Sequence, residues 1–425
     1  MATLQEVLQQ QKEHGILMAP KEPPQETGST VGVQATPQSM PFALRNNTTS
    51  STVYAYITGL DVSNGSRVVL VQRDGKSLYY PASPAADLQP LQTDCAIPLG
   101  APGSTTTVTV PRISGGRVWF VQDATLTFLL NRGIDSGGSA ALVEPSIMNP
   151  ADPNYQLNWS FCEFTLNEVE LFANISYVDF VNHPIALVLE SNSSATQRVE
   201  GMPADGLATV AQKLTDQNVK DGAGWDKLLI RQTGSSKLLR AVSPNTGMNL
   251  FSGLFATYYD GYVDQVWQKY SSTDLTVNTQ FTWGVVKGRV ANGLLAFGSV
   301  GSFGRPSSRD IFSSDSGAFA PPAGVNQEQL RNIAARLAAA FNRSTLLINA
   351  NQPDGEHIST YYTNSVTNHY SRILHEVNID KRGYAFPYDD VVPSGGGDQA
   401  GTVNDGNPKV LTIVLGGGNT STAAE

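Results

Sequence analysis

The sequence predicts a mainly β fold, an antiparallel β-sandwich or barrel interrupted by an inserted domain of mixed α and β structure. Three observations predict it. Residues 40–190 alternate strand-like runs with turns, the pattern becomes helical near Gly201, and strand-like runs return near residue 383. We therefore expect the chain to leave one sandwich, form the insert and return, with a wide groove between the two parts.

The first part of the sandwich is expected over residues 39–199, after a flexible arm at 1–38. The arm is rich in Gln, Glu, Pro and Thr, a composition that buries too little apolar surface to fold. Turn formers such as Asn64-Gly65 and Asp74-Gly75 separate β-branched runs, which is typical of antiparallel pairing. These runs are SSTVYAYITGL, RVVLVQRDG, TTTVTVPRI and GRVWFVQDATLTFLL.

The insert is expected over residues 200–355, where apolar residues recur at helical spacing in three segments. Two strand-like runs, LTVNTQFTWGVV and GLLAFGSV, lie between those segments. The sandwich is expected to resume over 356–418, where GYAFPYDDV and PKVLTIVLGG have strand character, and to end in a flexible tail at 419–425. The clearest helical stripe consists of Leu330, Ile333, Ala334, Leu337 and Phe341.

A low charge content limits the partners of the chain. Charged residues make up 15% of the sequence, against about 25% in an average soluble protein. The sequence contains no cluster of Lys and Arg that would bind a phosphate backbone, so we expect no nucleic-acid partner. No stretch reaches the roughly 18 apolar residues of a membrane helix, so we expect no membrane partner. A neutral polysaccharide fits this charge balance.

The sequence is compatible with two cellular locations. The first 32 residues lack the apolar core of a secretory signal, which leaves a cytoplasmic or an extracellular protein as alternatives. Cys95 and Cys162 could form one bridge or remain thiols, and we favour a buried thiol for Cys162. The five histidines lack the spacing of a zinc site, so we expect no metal and no other cofactor.

Residues 161–181, FCEFTLNEVELFANISYVDFV, carry the candidate chemistry. Side chains of a strand alternate, so the apolar residues at 162, 164 and 166 face the core. The opposite face then carries three polar residues: Glu163, Thr165 and Asn167. A second strand returns antiparallel and ends near Asp179, which brings that carboxylate close to Glu163.

Most glycoside hydrolases cleave a glycosidic bond with two carboxyl groups that flank it. One must donate a proton and the other must be ionised to activate water, so their surroundings must differ. Phe161 and Phe164 flank Glu163, and partial desolvation favours its protonated form, so we assign Glu163 as the acid and Asp179 as the base. The alternative on pattern alone is that Glu163 is a solvated strand residue and Asp179 a turn former.

Four segments of the chain resemble thaumatin-like proteins: EFTLN, SYVDFVNHPIAL, GGRVWF at 115–120 and GYAFPYDD at 383–390. Those proteins are much shorter and are held by many disulfides, which two cysteines cannot supply. The chain is more similar to glycoside hydrolase family 64, β-1,3-glucanases with a thaumatin-like core. GYVDQVWQKY, AAFNRSTLL and TNHYSRILHE carry this resemblance together with EFTLN and GYAFPYDDV, over roughly residues 40–418.

The resemblance implies an endo-β-1,3-glucanase that inverts the anomeric centre and releases short oligosaccharides, typically pentamers, from linear β-1,3-glucan. It implies that Glu163 is the general acid and Asp179 the general base, and that Thr165 and Asn167 line sugar subsites. Inversion requires room for a water, so the two carboxyl groups should lie about 6.5–9.5 Å apart. We expect a monomer, and the family favours an extracellular or cell-wall location.

Two further pairs of residues are candidate sugar contacts. Tyr258 and Tyr259 lie near the start of a predicted helix, where aromatic faces could stack on sugar rings. A place in the helix core is the alternative for this region. Asp389 and Asp390 end the tyrosine-rich segment. A role in a sugar subsite and a role in capping a turn are equally good interpretations of these two residues.

Two other functions fit parts of the sequence. A non-catalytic β-glucan-binding or antifungal protein on the same scaffold would keep the aromatic and acidic residues without a productive pair of carboxylates. A β-rich coat or surface protein would fit the low charge and the abundant Ser, Thr and Asn, but it leaves the motifs unexplained.

Overall fold

The computed structural model describes residues 36–133, 139–320, 324, 326–397 and 399–417. The predicted arm, apart from residues 36–38, and the predicted tail at 419–425 lie outside the described residues. The described part of the chain is mainly β, as the sequence predicts, with two large sheets and several smaller ones.

Strands of the described residues are numbered in chain order. They are β1 (Ser39–Asn46), β2 (Val53–Asp61), β3 (Arg67–Val71), β4 (Leu78–Tyr79), β5 (Gln89–Pro90), β6 (Ile97–Pro98), β7 (Thr105–Pro111), β8 (Ile113–Gln122), β9 (Leu129–Asn131), β10 (Ala141–Val143), β11 (Asn158–Leu166), β12 (Leu171–Ile175), β13 (Phe180–Val181), β14 (Ile185–Ser191), β15 (Gln197–Val199), β16 (Leu229–Arg231), β17 (Leu238–Val242), β18 (Leu275–Asn278), β19 (Val285–Ala291), β20 (Leu294–Ala296), β21 (Ser302–Phe303), β22 (Asn351–Gln352), β23 (Thr402–Asp405) and β24 (Pro408–Leu415).

A five-stranded sheet has the strand order β15-β14-β24-β1-β7. β24 pairs parallel with β1, with Phe42 opposite Leu411, and antiparallel with β14. The pairs β1–β7 and β14–β15 are antiparallel. Within this sheet the predicted antiparallel arrangement therefore holds apart from one parallel pair, which joins an early strand to the last described one.

An eight-stranded sheet contains the path β23-β12-β11-β8-β2-β3-β4, and β6 pairs with β2. Its pairs are antiparallel. One face packs on the five-stranded sheet, where Phe164 of β11 meets Phe42 of β1 edge to face with 5.0 Å between ring centroids. Gly116 of β8 makes room for this ring, since a Cβ there would lie 2.5 Å from Phe164 Cζ.

Helices are concentrated between residues 206 and 377, and the last of them lies beyond residue 355, the predicted end of the insert. They are α1 (Gly206–Asp221), α2 (Pro244–Leu250), α3 (Asp260–Ser272), α4 (Ser308–Ser313), α5 (Gln327–Arg343) and α6 (His369–Val377). The predicted stripe from Leu330 to Phe341 is confirmed, because all of its members are buried in α5. Two further sheets accompany the helices, one of three strands in the order β13-β17-β16 and one of five short strands in the order β21-β20-β19-β18-β22.

The segment GYAFPYDDV, residues 383–391, differs from its predicted strand. It forms turns, and its one ladder contact is an isolated bridge between Tyr384 and Ser176. Pro387 supplies no N–H for a ladder, and Tyr388 has a φ of 71°, in the left-handed region that strands do not use. The strand prediction is therefore wrong here, because turn geometry overrides aromatic β propensity.

Two predictions about single features can be compared directly. Cys95 and Cys162 are both free and buried, which confirms the buried thiol predicted for Cys162. No helix of the described residues is long and apolar enough to cross a membrane.

Candidate active site

A row of polar side chains crosses five strands of the eight-stranded sheet. Residues directly opposite each other in a ladder project from the same face. The register pairs Thr58 with Arg117, Arg117 with Glu163, Glu163 with Asn174, and Asn174 with Thr402. Because the opposite face packs in the core, this row lies on the outer face, where the sequence places Glu163.

Arg117 lies next to Glu163 in the row and orients it. Its Nε and Nη2 both donate to Glu163 Oε1, each at 3.3 Å, and its Nη1 pairs with Glu144. The guanidinium also lies over the rings of Phe161, at 4.9 Å, and Trp119, at 5.5 Å. Hydrogen bonds within the guanidinium plane and aromatic rings against it fix the side chain in one orientation.

Glu144 follows β10 and belongs to the same cluster. Its Oε1 accepts a hydrogen bond of 3.5 Å from Thr58, and the Trp119 indole in turn donates to Thr58 at 3.0 Å. Burial raises the pKa of Glu144, and the charge of Glu163 adds to this effect, while Arg117 opposes it. Glu144 therefore favours its protonated form more than an ordinary glutamate does.

Asp179 lies in the turn between β12 and β13 and is half-buried. Its main-chain carbonyl accepts a hydrogen bond of 2.8 Å from Ser243 N, which ties the turn to the end of β17. Burial disfavours the charge of Arg117, yet Glu144, Glu163 and Asp179 together raise the pKa of its guanidinium. Two carboxylates, Glu144 and Glu163, thus contact the arginine, and the charge of Asp179 acts on it as well.

Comparison with known proteins decides the family of this chain. The sequence model of glycoside hydrolase family 64, described as β-1,3-glucanase, matches residues 38–415. The chain belongs to family 64. It is therefore a glycoside hydrolase.

Relatives of this family 64 chain agree in sequence and fold. Glucan endo-1,3-β-glucosidases of Cellulosimicrobium cellulans and Arthrobacter sp. (strain YCWD3) are each 28% identical over 413 residues, which cover 92% of this chain and 68% of theirs. The crystal structure of a laminaripentaose-producing β-1,3-glucanase in complex with laminaritetraose is 30% identical and covers 89% of this chain and 99% of its own, with a TM-score of 0.77. A β-1,3-glucanase domain from Clostridium beijerinckii shares the fold at 20% identity, with 89% and 98% coverage and a TM-score of 0.66.

Thr165 and Asn167 occupy different settings in the family 64 chain. Thr165 is half-buried on β11, two residues beyond Glu163 on the same face, opposite Phe172 of β12. Asn167 lies in the turn to β12, where its Oδ1 accepts hydrogen bonds from the main-chain N–H groups of residues 169 and 170 at 2.8 and 3.0 Å. Thr165 is well placed to face a ligand, whereas the oxygen of Asn167 is used to shape the turn.

Asp389 and Asp390 point in different directions. Asp389 has no exposed side-chain surface and pairs with Arg343 Nη2 at 3.1 Å and His375 Nε2 at 3.0 Å. Burial alone would raise the pKa of Asp389, but these two partners lower it, so the carboxylate is held ionised in the interior. Asp390 is half-buried and accepts a hydrogen bond of 3.1 Å from the hydroxyl of Tyr384. This geometry gives Asp389 a structural role and leaves Asp390 as the better subsite candidate.

Tyr258 and Tyr259 lie in an aromatic cluster of the helical region. Tyr259 is fully buried, and Tyr258 stacks near Phe312 and meets Trp225 edge to face. The Tyr258 hydroxyl donates to the carbonyl of Thr367 at 3.0 Å. These contacts are those of core residues, the alternative weighed for this region of the sequence.

Arg117 and Glu144 were not singled out by sequence reasoning as functional residues. Arg117 lies in GGRVWF, which the sequence analysis used only for the family resemblance. The position of Arg117 two residues before Trp119 places both on the same face of one strand, and this spacing could have marked Arg117 as a candidate. Glu144 lies just beyond a three-residue strand, where no periodic pattern marks its direction. Among the described residues no group of three or more His, Cys, Asp or Glu side chains is arranged to hold a metal ion.

Proposed function

We propose that this chain is an endo-acting β-1,3-glucanase that cleaves linear β-1,3-glucan into short oligosaccharides with inversion at the anomeric carbon. Glu163 is the general acid and Asp179 the general base. The observation that carries the proposal is the polar row on β8, β11 and β12, in which Arg117 holds Glu163 on the outer face of the sheet. Against the opposing effect of burial, the negative charge of Asp179 also raises the pKa of Arg117. The names of the relatives support the choice of β-1,3-glucan as substrate.

The reaction proceeds in one displacement. Glu163 gives its proton to the glycosidic oxygen as the bond from that oxygen to the anomeric carbon breaks. Asp179 takes a proton from a water, and the water oxygen bonds to the anomeric carbon from the opposite face of the sugar. The newly formed reducing end therefore has the α configuration, since the cleaved bond was β.

The charge balance of the cluster supports an acid that holds its proton. Glu144, Glu163 and Asp179 carry three negative charges when ionised, and Arg117 carries one positive charge. A proton on one of the carboxyl groups relieves the remaining repulsion. In the proposed mechanism Glu163 carries this proton in the complex with substrate and donates it to the leaving oxygen.

Hydrolysis of linear β-1,3-glucan tests the proposal. We expect oligosaccharides whose new reducing ends are initially α by proton NMR, and a loss of kcat of at least about 100-fold in Glu163→Gln and in Asp179→Asn. Full activity in either variant would contradict its assigned role, and an initial β signal would contradict inversion. Retention on insoluble glucan without any product would favour the non-catalytic glucan-binding alternative.

A further inference from the structure

Asn174 is the one residue of the polar row whose side chain makes no hydrogen bond although it is completely buried. Its exposed fraction is 0%, and neither Nδ2 nor Oδ1 has a partner. Buried amides are nearly always paired, because a donor or acceptor removed from water without a partner costs free energy. An amide with both groups unpaired beside the candidate acid calls for a functional explanation.

The location of Asn174 indicates which group it serves. Glu163 lies between Arg117 on β8 and Asn174 on β12, each directly opposite it in the ladder. Directly opposed residues have Cβ atoms about 4.5–5.5 Å apart, so the amide lies beside the Glu163 carboxyl. No hydrogen bond joins the two side chains here, and a side-chain rotation or one bridging water would connect them. Both hydrogen bonds from Arg117 end on Oε1, which leaves Oε2 as the oxygen that carries the transferable proton.

The chemistry of an amide suits a carboxyl that changes its protonation state. The Nδ2 group donates to a carboxylate, and Oδ1 accepts from a protonated carboxyl, whereas the Arg117 guanidinium can only donate. An uncharged amide also adds no charge that would favour the ionised form. Asn174 can therefore hold Glu163 both before and after it gives up its proton.

We propose that Asn174 is a positioning residue for Glu163, which holds the proton-bearing Oε2 on the side away from Arg117. This inference rests on the proposed role of Glu163 as the general acid. Asn174 itself, being fully buried, does not contact the sugar. Its effect is on the orientation of the acid, so it should appear in kcat and in the pH profile rather than in KM.

Two substitutions at position 174 test the proposal on linear β-1,3-glucan. Asn174→Leu removes both polar groups at similar volume, and we expect kcat to fall about 10- to 100-fold with KM changed less than about twofold. Asn174→Asp keeps a hydrogen-bonding group of the same size, and because burial favours its neutral acid, which both donates and accepts, we expect its kcat to stay within about tenfold of wild type and above that of Asn174→Leu. Thermal unfolding of both variants establishes that they are folded at the assay temperature.

Asn131→Leu is the matched control. Asn131 is also buried with an unpaired Nδ2, but it lies on β9 in a different sheet. We expect this variant to change the melting temperature and to keep the wild-type kcat and pH profile. A folded Asn174→Leu variant with wild-type kcat, or a folded Asn174→Asp variant that loses as much kcat as Asn174→Leu, would overturn the inference.

The Glu163→Gln variant, measured in parallel, separates this inference from the proposed function. If Glu163→Gln is inactive and Asn174→Leu has wild-type kcat, only the role of Asn174 fails. If Glu163→Gln is fully active, the acid assignment fails, and the positioning role fails with it.

Discussion

Arg117 donates two hydrogen bonds to a single oxygen of Glu163 and uses its remaining terminal nitrogen to pair with Glu144. One cation thus divides its interaction between two carboxylates, and the charge of Asp179 acts on it as well. The orientation and the protonation of the candidate acid therefore depend on a network rather than on Glu163 alone.

Arg117→Lys should lower activity although it keeps the charge. A lysine ammonium lacks the planar guanidinium, whose N–H groups point in fixed directions and contact Glu163 and Glu144 together, so Glu163 loses its orientation. We expect kcat to fall about 10- to 100-fold, measured on linear β-1,3-glucan. Arg289→Lys, in an exposed pair with Asp274, is the control and should keep wild-type kcat. Wild-type kcat in Arg117→Lys would show that the guanidinium is not required to orient Glu163.

Glu144→Gln should shift the alkaline limb of the pH profile of kcat/KM to lower pH. Glutamine cannot carry the negative charge that Glu144 places beside Glu163 whenever Glu144 is ionised, and it leaves the positive charge of Arg117 to Glu163 alone. Both changes favour the ionised, inactive form of the acid. We expect a shift of roughly one pH unit. Glu190→Gln breaks an exposed pair with Lys409 and should not move the limb. An upward shift in Glu144→Gln would contradict this account of the charge balance.

Asp389→Asn should affect stability and leave substrate binding unchanged. Breaking a buried ion pair by removing one partner costs about 3–5 kcal/mol, and Asp389 pairs with both Arg343 and His375 in the interior. Melting temperature and KM, measured together, distinguish this structural role from a subsite role. A raised KM with an unchanged melting temperature would restore Asp389 as a sugar contact.

The same carboxylate should make stability depend on acid. The pKa of Asp389 is lower in the folded protein than its ordinary value of 3.8. Its contribution is therefore fully present above that value and is lost as the pH falls through the lower, folded pKa. Melting curves of wild type should fall more steeply with decreasing pH in the acid range than those of Asp389→Asn. Parallel curves would show that another group dominates acid unfolding.

Thr165→Val should weaken substrate binding, whereas Tyr258→Phe should not. Thr165 lies on the outer face beside Glu163, and loss of one hydrogen bond to a sugar, worth about 0.5–1.5 kcal/mol, raises KM roughly two- to tenfold. The Tyr258 variant loses two hydrogen bonds to the main chain of Thr367, one to its carbonyl and one from its N–H, so it should show a lower melting temperature and an unchanged KM. The reverse pattern would exchange the roles of the two residues.

The sequence predicted the direction of Glu163 because the alternation of Cys162, Glu163 and Phe164 is a local pattern that the strand preserves. It also predicted the buried stripe of α5, whose spacing is equally local. It did not predict that Arg117 would link Glu163 to Glu144, since that contact depends on strand order and on an irregular segment. The sequence did not predict the pairing of Asp389 with Arg343 for the same reason. Arg343 lies on a helix 46 residues earlier, and only tertiary packing brings the two side chains together.

The place of β24 in the five-stranded sheet has a consequence for synthesis on the ribosome. β1 and β14 do not pair with each other, because β24 lies between them, and residues 408–415 are translated long after both. The sheet therefore stays divided in two until these residues leave the exit tunnel, while residues 206–377 can already form their helices. A nascent chain arrested before residue 408 should be digested readily by protease within β1 and β14, and one extended by a linker long enough for residues 408–415 to clear the tunnel should resist.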